Sequence, residues 1–195
     1  MPKVGMEPIR RDALVNATIA EIGRAGSLDV TVAQIAKRAG MSSALAHHYF
    51  GNKDQIFLAA MRHVLTVYGH DVRAALKQAK GPRERLEALV EASFCVHQFD
   101  DEIIAAWLNF YVLAQTSEPA RRLLAVYQKR LLSNLVHELR PLVDDAAPVI
   151  ALRIAALIDG VYLRQALRDR AMDNRSATRL VLDAAETWIG RKTNA

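Results

Sequence analysis

The sequence predicts an all-α protein: an N-terminal three-helix domain of helix-turn-helix type, followed by a larger helical domain. Three observations carry that expectation. Ala, Leu and Arg dominate, and the 195 residues hold only 9 glycines and 6 prolines, too few helix breakers for a strand-and-turn architecture. Apolar residues recur at helical spacing along most of the chain. A hydrophobic fraction of 51% is enough for a large core and a smaller one.

In chain order, residues 1–8 read as a polar arm whose Lys3, with Arg10 and Arg11, can touch phosphate. Leu14, Ala17, Ile19, Ala20 and Ile22 give a first helix from Ile9 to about Ala25, stopped by Gly26. Thr31 caps a second helix with Val32, Ile35, Ala36 and Ala39 on one face, and Gly40 ends it. Ser42 or Ser43 caps a third that runs to about Tyr49. A long helix from Lys53 to about Lys80 ends at Gly81-Pro82. Further helices are expected from Arg83 to about Gln98, from Asp100 or Asp101 through AAWLNFYVLAQ, and from Glu118-Pro119 to about Arg140, closed by Pro141. Two more run from Asp144 to Arg168 and from Asn174 to about Arg191. The domains are residues 1–52 and 53–195.

Residues 31–54, TVAQIAKRAGMSSALAHHYFGNKD, are two short helices around a tight turn, the shape that enters a DNA major groove. Leu45, Ala46 and Phe50 point back at the second helix. Ser42, Ser43, Ala44, His47, His48 and Tyr49 share the outer surface. Residues 1–53 carry seven basic side chains against four acidic ones, a surplus that supports a nucleic-acid reading only beside such a motif. His47 and Tyr49 are expected at base edges or phosphates. Thr31, Ser42, Ser43 and Lys53 are expected to position the domain on the backbone.

The order T-V-A-Q-I-A, A-G-M-S, H-Y-F, N-K-D resembles the DNA-binding domain of the TetR family of bacterial transcriptional regulators. Tyr49-Phe50 followed at once by Asn52-Lys53-Asp54 is the specific part of the match. The resemblance implies a recognition helix in the major groove and an effector domain downstream. His47 stands where many members carry Tyr.

Trp107, Phe110, Tyr111 and Ala114 fall at helical spacing on one face, as ordinary core or as a ligand wall. Asp159 lies on the apolar stripe Leu152, Ala155, Ala156, Asp159, Leu163, Ala166, where a bare carboxylate is costly to bury. Arg153, Arg164 or Asn109 can compensate it, and so can a bound cation. With Tyr162 one turn on, the residues permit an aromatic cage for a quaternary ammonium. The opposite stripe of that helix, Ile150, Ile154, Leu157 and Val161 with Gly160, joins Ala177, Leu180, Val181, Ala184 and Trp188 as the expected interface of a two-fold homodimer.

MPKVGMEPIRR, AAWLNFY, RLLSNLVHELR and ALIDGVYLRQAL resemble the choline-sensing, BetI-type branch of the TetR family, repressors of glycine-betaine synthesis genes. That resemblance implies choline as inducer and Trp107, Tyr111, Asp159 and Tyr162 as ligand contacts, with Phe110 and Asn109 beside them; the two-fold dimer implies an inverted-repeat operator. The alternative is a repressor answering another lipophilic cation or a small apolar ligand.

No catalytic residue, cofactor or metal site is predicted. His47 and His48 are adjacent and point about 100° apart, and Cys95 and His97, placed on a helix, diverge further. Phosphate loops, zinc spacings and nucleophile elbows are missing from the sequence. One cysteine, no apolar run after Met1, and an apolar stretch at Pro148 to Ile158 that Arg153 interrupts point to a reduced, cytoplasmic protein without a membrane span.

Overall fold

The computed structural model describes residues 6–167 and 172–193, with side chains as far as residue 190. Every regular element among them is helical: α1 (Met6–Ala25), α2 (Val32–Arg38), α3 (Ser43–Phe50), α4 (Lys53–Gln78), α5 (Gly81–Ser93), α6 (Asp101–Thr116), α7 (Glu118–Val143), a 3-10 turn (Asp144–Ala146), α8 (Ala147–Ala166) and α9 (Asn174–Thr193). Lys3 of the expected arm and the expected helix end at Arg168 lie outside the described residues, as does the side chain of Arg191. Two compact units form: residues up to Leu65 with Asp101–Arg121, and Thr66–Asp100 with Arg122 onward.

In the first unit, caps set the helix starts. Thr31 and Gln34 form a reciprocal capping box, the Gln34 N–H donating to Thr31 Oγ1 at 3.2 Å and the Thr31 N–H to Gln34 Oε1 at 2.7 Å. Ser42 Oγ accepts from the Leu45 N–H, and Asn52 Oδ1 accepts from the Gln55 N–H at the start of α4. Gly40 turns α2 into α3 with φ +67°, a left-handed conformation that glycine adopts without strain. Leu14, Ile22, Ile35, Ala46 and Ile56 are buried as these helices pack.

Two contacts position α1. At Gly23 a Cβ would stand 2.6 Å from the Glu102 Cα, so α1 and α6 touch through the absence of a side chain. On its other side the nearly buried Glu21 accepts from Arg24 at 2.8 Å and from Arg38 of α2 at 2.6 Å.

The second unit corrects several expectations. α5 stops at Ser93, not Gln98: the buried Ser93 hydroxyl donates to the Leu89 carbonyl, and residues 94–100 turn back, with the Gln98 and Phe99 N–H groups both donating to the Cys95 carbonyl. Pro141 does not close α7, which continues to Val143. The only acceptor it deprives is the carbonyl of exposed His137, within reach of water. The break falls at Asp144, where φ is +47°.

The α8 stripe expected at a partner subunit is largely the chain's own core face instead. Ile150, Ile154, Ile158 and Val161 are buried within the chain, against an α9 that buries Ala177, Val181, Ala185 and Ile189. Leu152, Ala156 and Leu163 face out. The reason is fit: branched residues fill the inner row, while the outer row alternates with Arg153 and Arg164. α5 is tied to α7 by Arg85, which grips the buried Glu138 through two bonds of 2.8 Å and donates to the Leu76 carbonyl. The stretch Glu118–Ala166 is apolar and long enough to cross a membrane by composition alone, but it is broken at Asp144, and α8's buried row already serves the core.

The bonds from Arg24 and then Arg38 hold the Glu21 carboxyl below its ordinary range. Its stabilising contribution is therefore present above the unfolded-state pKa and is lost as pH falls through the lowered folded value. Thermal unfolding followed by circular dichroism should show Glu21→Gln with a lower Tm at pH 7, and wild type converging on the mutant as pH drops below about 4. Both arginines are half exposed, so the gap should be a few degrees at most and narrower in high salt.

Candidate DNA-binding surface and effector site

α3 presents Ser42, Ala44, His47 and His48 to solvent, with Ser43 and Tyr49 half exposed, as the helix-turn-helix spacing requires. Thr31 and Ser42 also spend their hydroxyl oxygens on caps, which fixes both helix starts. Tyr49 is braced from α1: Arg10 Nη1 donates to its hydroxyl at 3.4 Å, and the Arg11 guanidinium lies 5.5 Å from its ring and 5.1 Å from that of Phe50. Arg10 and Arg11, expected at phosphate, are thus engaged in holding the end of α3. The Lys53 ammonium lies 5.4 Å from the Phe57 ring.

His47 Nδ1 lies 2.8 Å from the Gly51 carbonyl oxygen. A carbonyl only accepts, so Nδ1 carries the proton and Nε2 is left as the ring's acceptor.

The expected ligand residues fall into two sets. Trp107, Phe110 and Tyr111 cluster in the first unit, with Trp107 6.3 Å from Phe110 and 5.8 Å from Tyr111 by ring centroids. Asn109 in the same helix donates to the carbonyls of Ala105 and Gly26, a bond that ties α6 to the end of α1. Asp159 and Tyr162 belong to the second unit, one helical turn apart on α8. Arg153 does not serve Asp159 as suggested; its guanidinium lies 5.8 Å from the Trp188 ring.

Tyr162 has company that spacing did not announce. Its ring is stacked with Phe94 at 5.7 Å and meets Phe99 edge-on at 5.6 Å, and its hydroxyl donates to the Ser93 and Gln98 carbonyls. Ser93 also anchors Tyr68: its own proton goes to Leu89, so the Tyr68 hydroxyl donates to Ser93 Oγ at 3.2 Å. Tyr68 packs edge-on against Tyr127. Burial pushes the Tyr68 hydroxyl up to about 12, and the negative charges of Asp159 and Asp71 add to that rise. Five rings and the Asp159 carboxylate therefore share this region of the second unit. The signal available in sequence was the F-C-V-H-Q-F run, legible only once α5 is known to end before it.

The turn also overturns the divergence expected of Cys95 and His97. Off the helix, Cys95 Sγ lies 3.8 Å from the His97 ring nitrogens, and His97 Nε2 lies 2.8 Å from Asp71 Oδ2. Burial raises the Cys95 thiol pKa, which leaves it a poor nucleophile. A cleft of about 400 Å³ beside it is lined by Phe94, Cys95, Glu91, Arg175, Arg179 and Asp183.

Residues 14–60 match the family described as bacterial regulatory proteins, tetR family, and residues 82–190 match the BetI-type transcriptional repressor, C-terminal. The chain belongs to the TetR family, in its BetI-type branch. The HTH-type transcriptional regulator BetI of Brucella suis biovar 1 is 55% identical over 94% of this chain and 93% of that protein. The BetI regulator of Agrobacterium fabrum is 54% identical over 94% of this chain and 89% of that protein. Among solved structures, a transcriptional regulator from Saccharomonospora viridis in complex with choline superposes with a TM-score of 0.82 at 25% identity, covering 90% of this chain and 95% of that one. This TetR-family chain is accordingly a DNA-binding transcriptional regulator of repressor type.

For this regulator, nitrogen-detected NMR should show the neutral His47 ring as the Nδ1–H tautomer. An Nε2–H signal would mean that the Gly51 bond is not made in solution.

Proposed function

We propose that this regulator represses the genes that convert choline to glycine betaine and leaves its operator when choline binds. The observation that carries the reading is the group of five rings around Ser93, with the Asp159 carboxylate one turn from Tyr162. A trimethylammonium has no N–H to donate, so it is recognised by ring faces and a counter-charge, each cation–π contact giving about 0.5–2 kcal/mol. The choline complex of the S. viridis regulator and the BetI names of the relatives support the same choice. Trp107 and Tyr111, with Phe110 and Asn109, are proposed as ligand residues on the family resemblance.

Release requires the ligand to favour one state, and a tenfold loss of operator affinity needs about 1.4 kcal/mol of coupling. α6 is packed on α1 at Gly23 and bonded to it through Asn109, so a shift of α6 is felt by the helix that braces Tyr49. His47 and Tyr49 read the operator in the cytoplasm, with Thr31, Ser42, Ser43, Ala44, His48 and Lys53 along the same surface. The functional division falls near residue 52.

Calorimetry should show choline binding weakened by Asp159→Asn more than glycine betaine binding, since betaine carries its own carboxylate, and both weakened by Tyr162→Ala and Trp107→Ala. Unchanged choline affinity and operator release in Asp159→Asn and Tyr162→Ala together would exclude this pocket. Tighter binding of a neutral apolar compound would instead favour the apolar-ligand reading.

We propose further that the regulator is a two-fold homodimer on an inverted-repeat operator, with half-sites about 34 Å or more apart. Its interface is the outer row of α8, Val149, Leu152, Ala156 and Leu163, with Gly160 open on the same row, together with Leu157 and the Leu180, Ala184 and Trp188 of α9. Val161 leaves the interface because the chain's own core covers it. Sedimentation of Leu152→Glu should show folded monomers that bind a single half-site weakly; a Leu152→Glu dimer would place the contact elsewhere.

A further inference from the structure

We propose that Asp71, Cys95 and His97 form a binding site for a divalent transition-metal ion of the zinc class. Asp71 comes from the second half of α4, and Cys95 and His97 come from the turn after α5. Three donor atoms, one thiol sulfur, one imidazole nitrogen and one carboxylate oxygen, all lie within 4.8 Å of one another. Their separations are 2.8 Å from His97 Nε2 to Asp71 Oδ2, 3.8 Å from Cys95 Sγ to the His97 ring, and 4.0 Å from Cys95 Sγ to the same Asp71 oxygen.

A tetrahedral zinc ion with bonds of about 2.0–2.3 Å keeps its ligand atoms about 3.3–3.6 Å apart. Closing the site therefore asks the two sulfur edges to shorten by a few tenths of an ångström. The His–Asp edge opens by about half an ångström as the metal replaces the proton those two groups share. The His97 side chain is 58% exposed, so its ring is free to turn Nε2 toward the ion. Gln98 Nε2 donates to Asp71 Oδ2 at 3.1 Å and orients the carboxylate, the role an outer-shell partner plays at built metal sites.

The donor set decides the class of ion. Magnesium and calcium take oxygen ligands, whereas a thiolate with an imidazole suits zinc and its neighbours. Three protein donors leave a fourth position for water or an outside ligand. An ion here would also stiffen the turn that carries Phe94 and Phe99, the ring partners of Tyr162. The site shares no residue with the choline reading and stands or falls without it.

The test uses the full-length, reduced protein with cobalt(II) as the spectroscopic probe and zinc(II) in calorimetry. One cobalt ion per protomer should give a thiolate-to-metal charge-transfer band in the near ultraviolet and intense tetrahedral bands in the visible, all removed by zinc. Cys95→Ser should abolish the charge-transfer band, and His97→Gln and Asp71→Asn should each weaken zinc binding on the order of tenfold or more. Cys95 is the chain's one cysteine, so the wild-type band alone identifies the ligand even where a variant fails to fold. Absence of that band in wild type, or zinc affinity unchanged in folded Cys95→Ser and His97→Gln, overturns the proposal.

Discussion

Because the Ser93 hydroxyl bonds back to the Leu89 carbonyl and α5 ends there, the next seven residues are free to make a tight turn, and most of the second unit's chemistry depends on it. The turn presents the Ser93 and Gln98 carbonyls to Tyr162 and the Ser93 oxygen to Tyr68. It gathers Phe94 and Phe99 against each other and against the Tyr162 ring, and it swings Cys95 and His97 toward Asp71. Had α5 run on to Gln98, those side chains would spread around a helix at about 100° per residue and gather nowhere.

The first unit depends on a different economy, in which each polar group does two things. Thr31 and Ser42 cap helices while standing exposed on the helix-turn-helix. Arg10 and Arg11 supply positive charge and at the same time hold Tyr49 and Phe50 from behind. His47 uses one ring nitrogen to tie down the end of α3 while its ring stands exposed on the helix surface. A surface fixed in this way loses little side-chain entropy on binding.

The helix-turn-helix was legible because its signals are local: Thr31, Gly40 and Ser42 act within a few residues of where they stand. The helices of the larger region were legible for the same reason, to within about a turn at their ends except at the end of α5. The rotation of α8 was not. Its apolar residues run nearly all round, so periodicity found two stripes without saying which the chain would cover, and only packing against α9 chose the row of Ile150, Ile154, Ile158 and Val161. The turn at 94–100 was hidden because its apolar residues continue the rhythm of α5. Asp159 and Tyr162 could be named from the sequence, but their neighbours Phe94, Phe99 and Tyr68 depend on tertiary contacts between distant segments.

The missing side chain at Gly23 has a practical bearing on protein engineering. Exchanging DNA-reading heads between related sensors is usually imagined as a cut just before the long connecting helix. Here the head's first helix lies so close to Glu102 that the Glu102 backbone and side chain occupy the space of the absent Cβ, and Asn109 holds the same helix end through the Gly26 carbonyl. The transplantable module is therefore discontinuous. A chimera that brings a foreign α1 with any larger residue at position 23 must also bring its own matching α6, because the two helices belong to one compact unit.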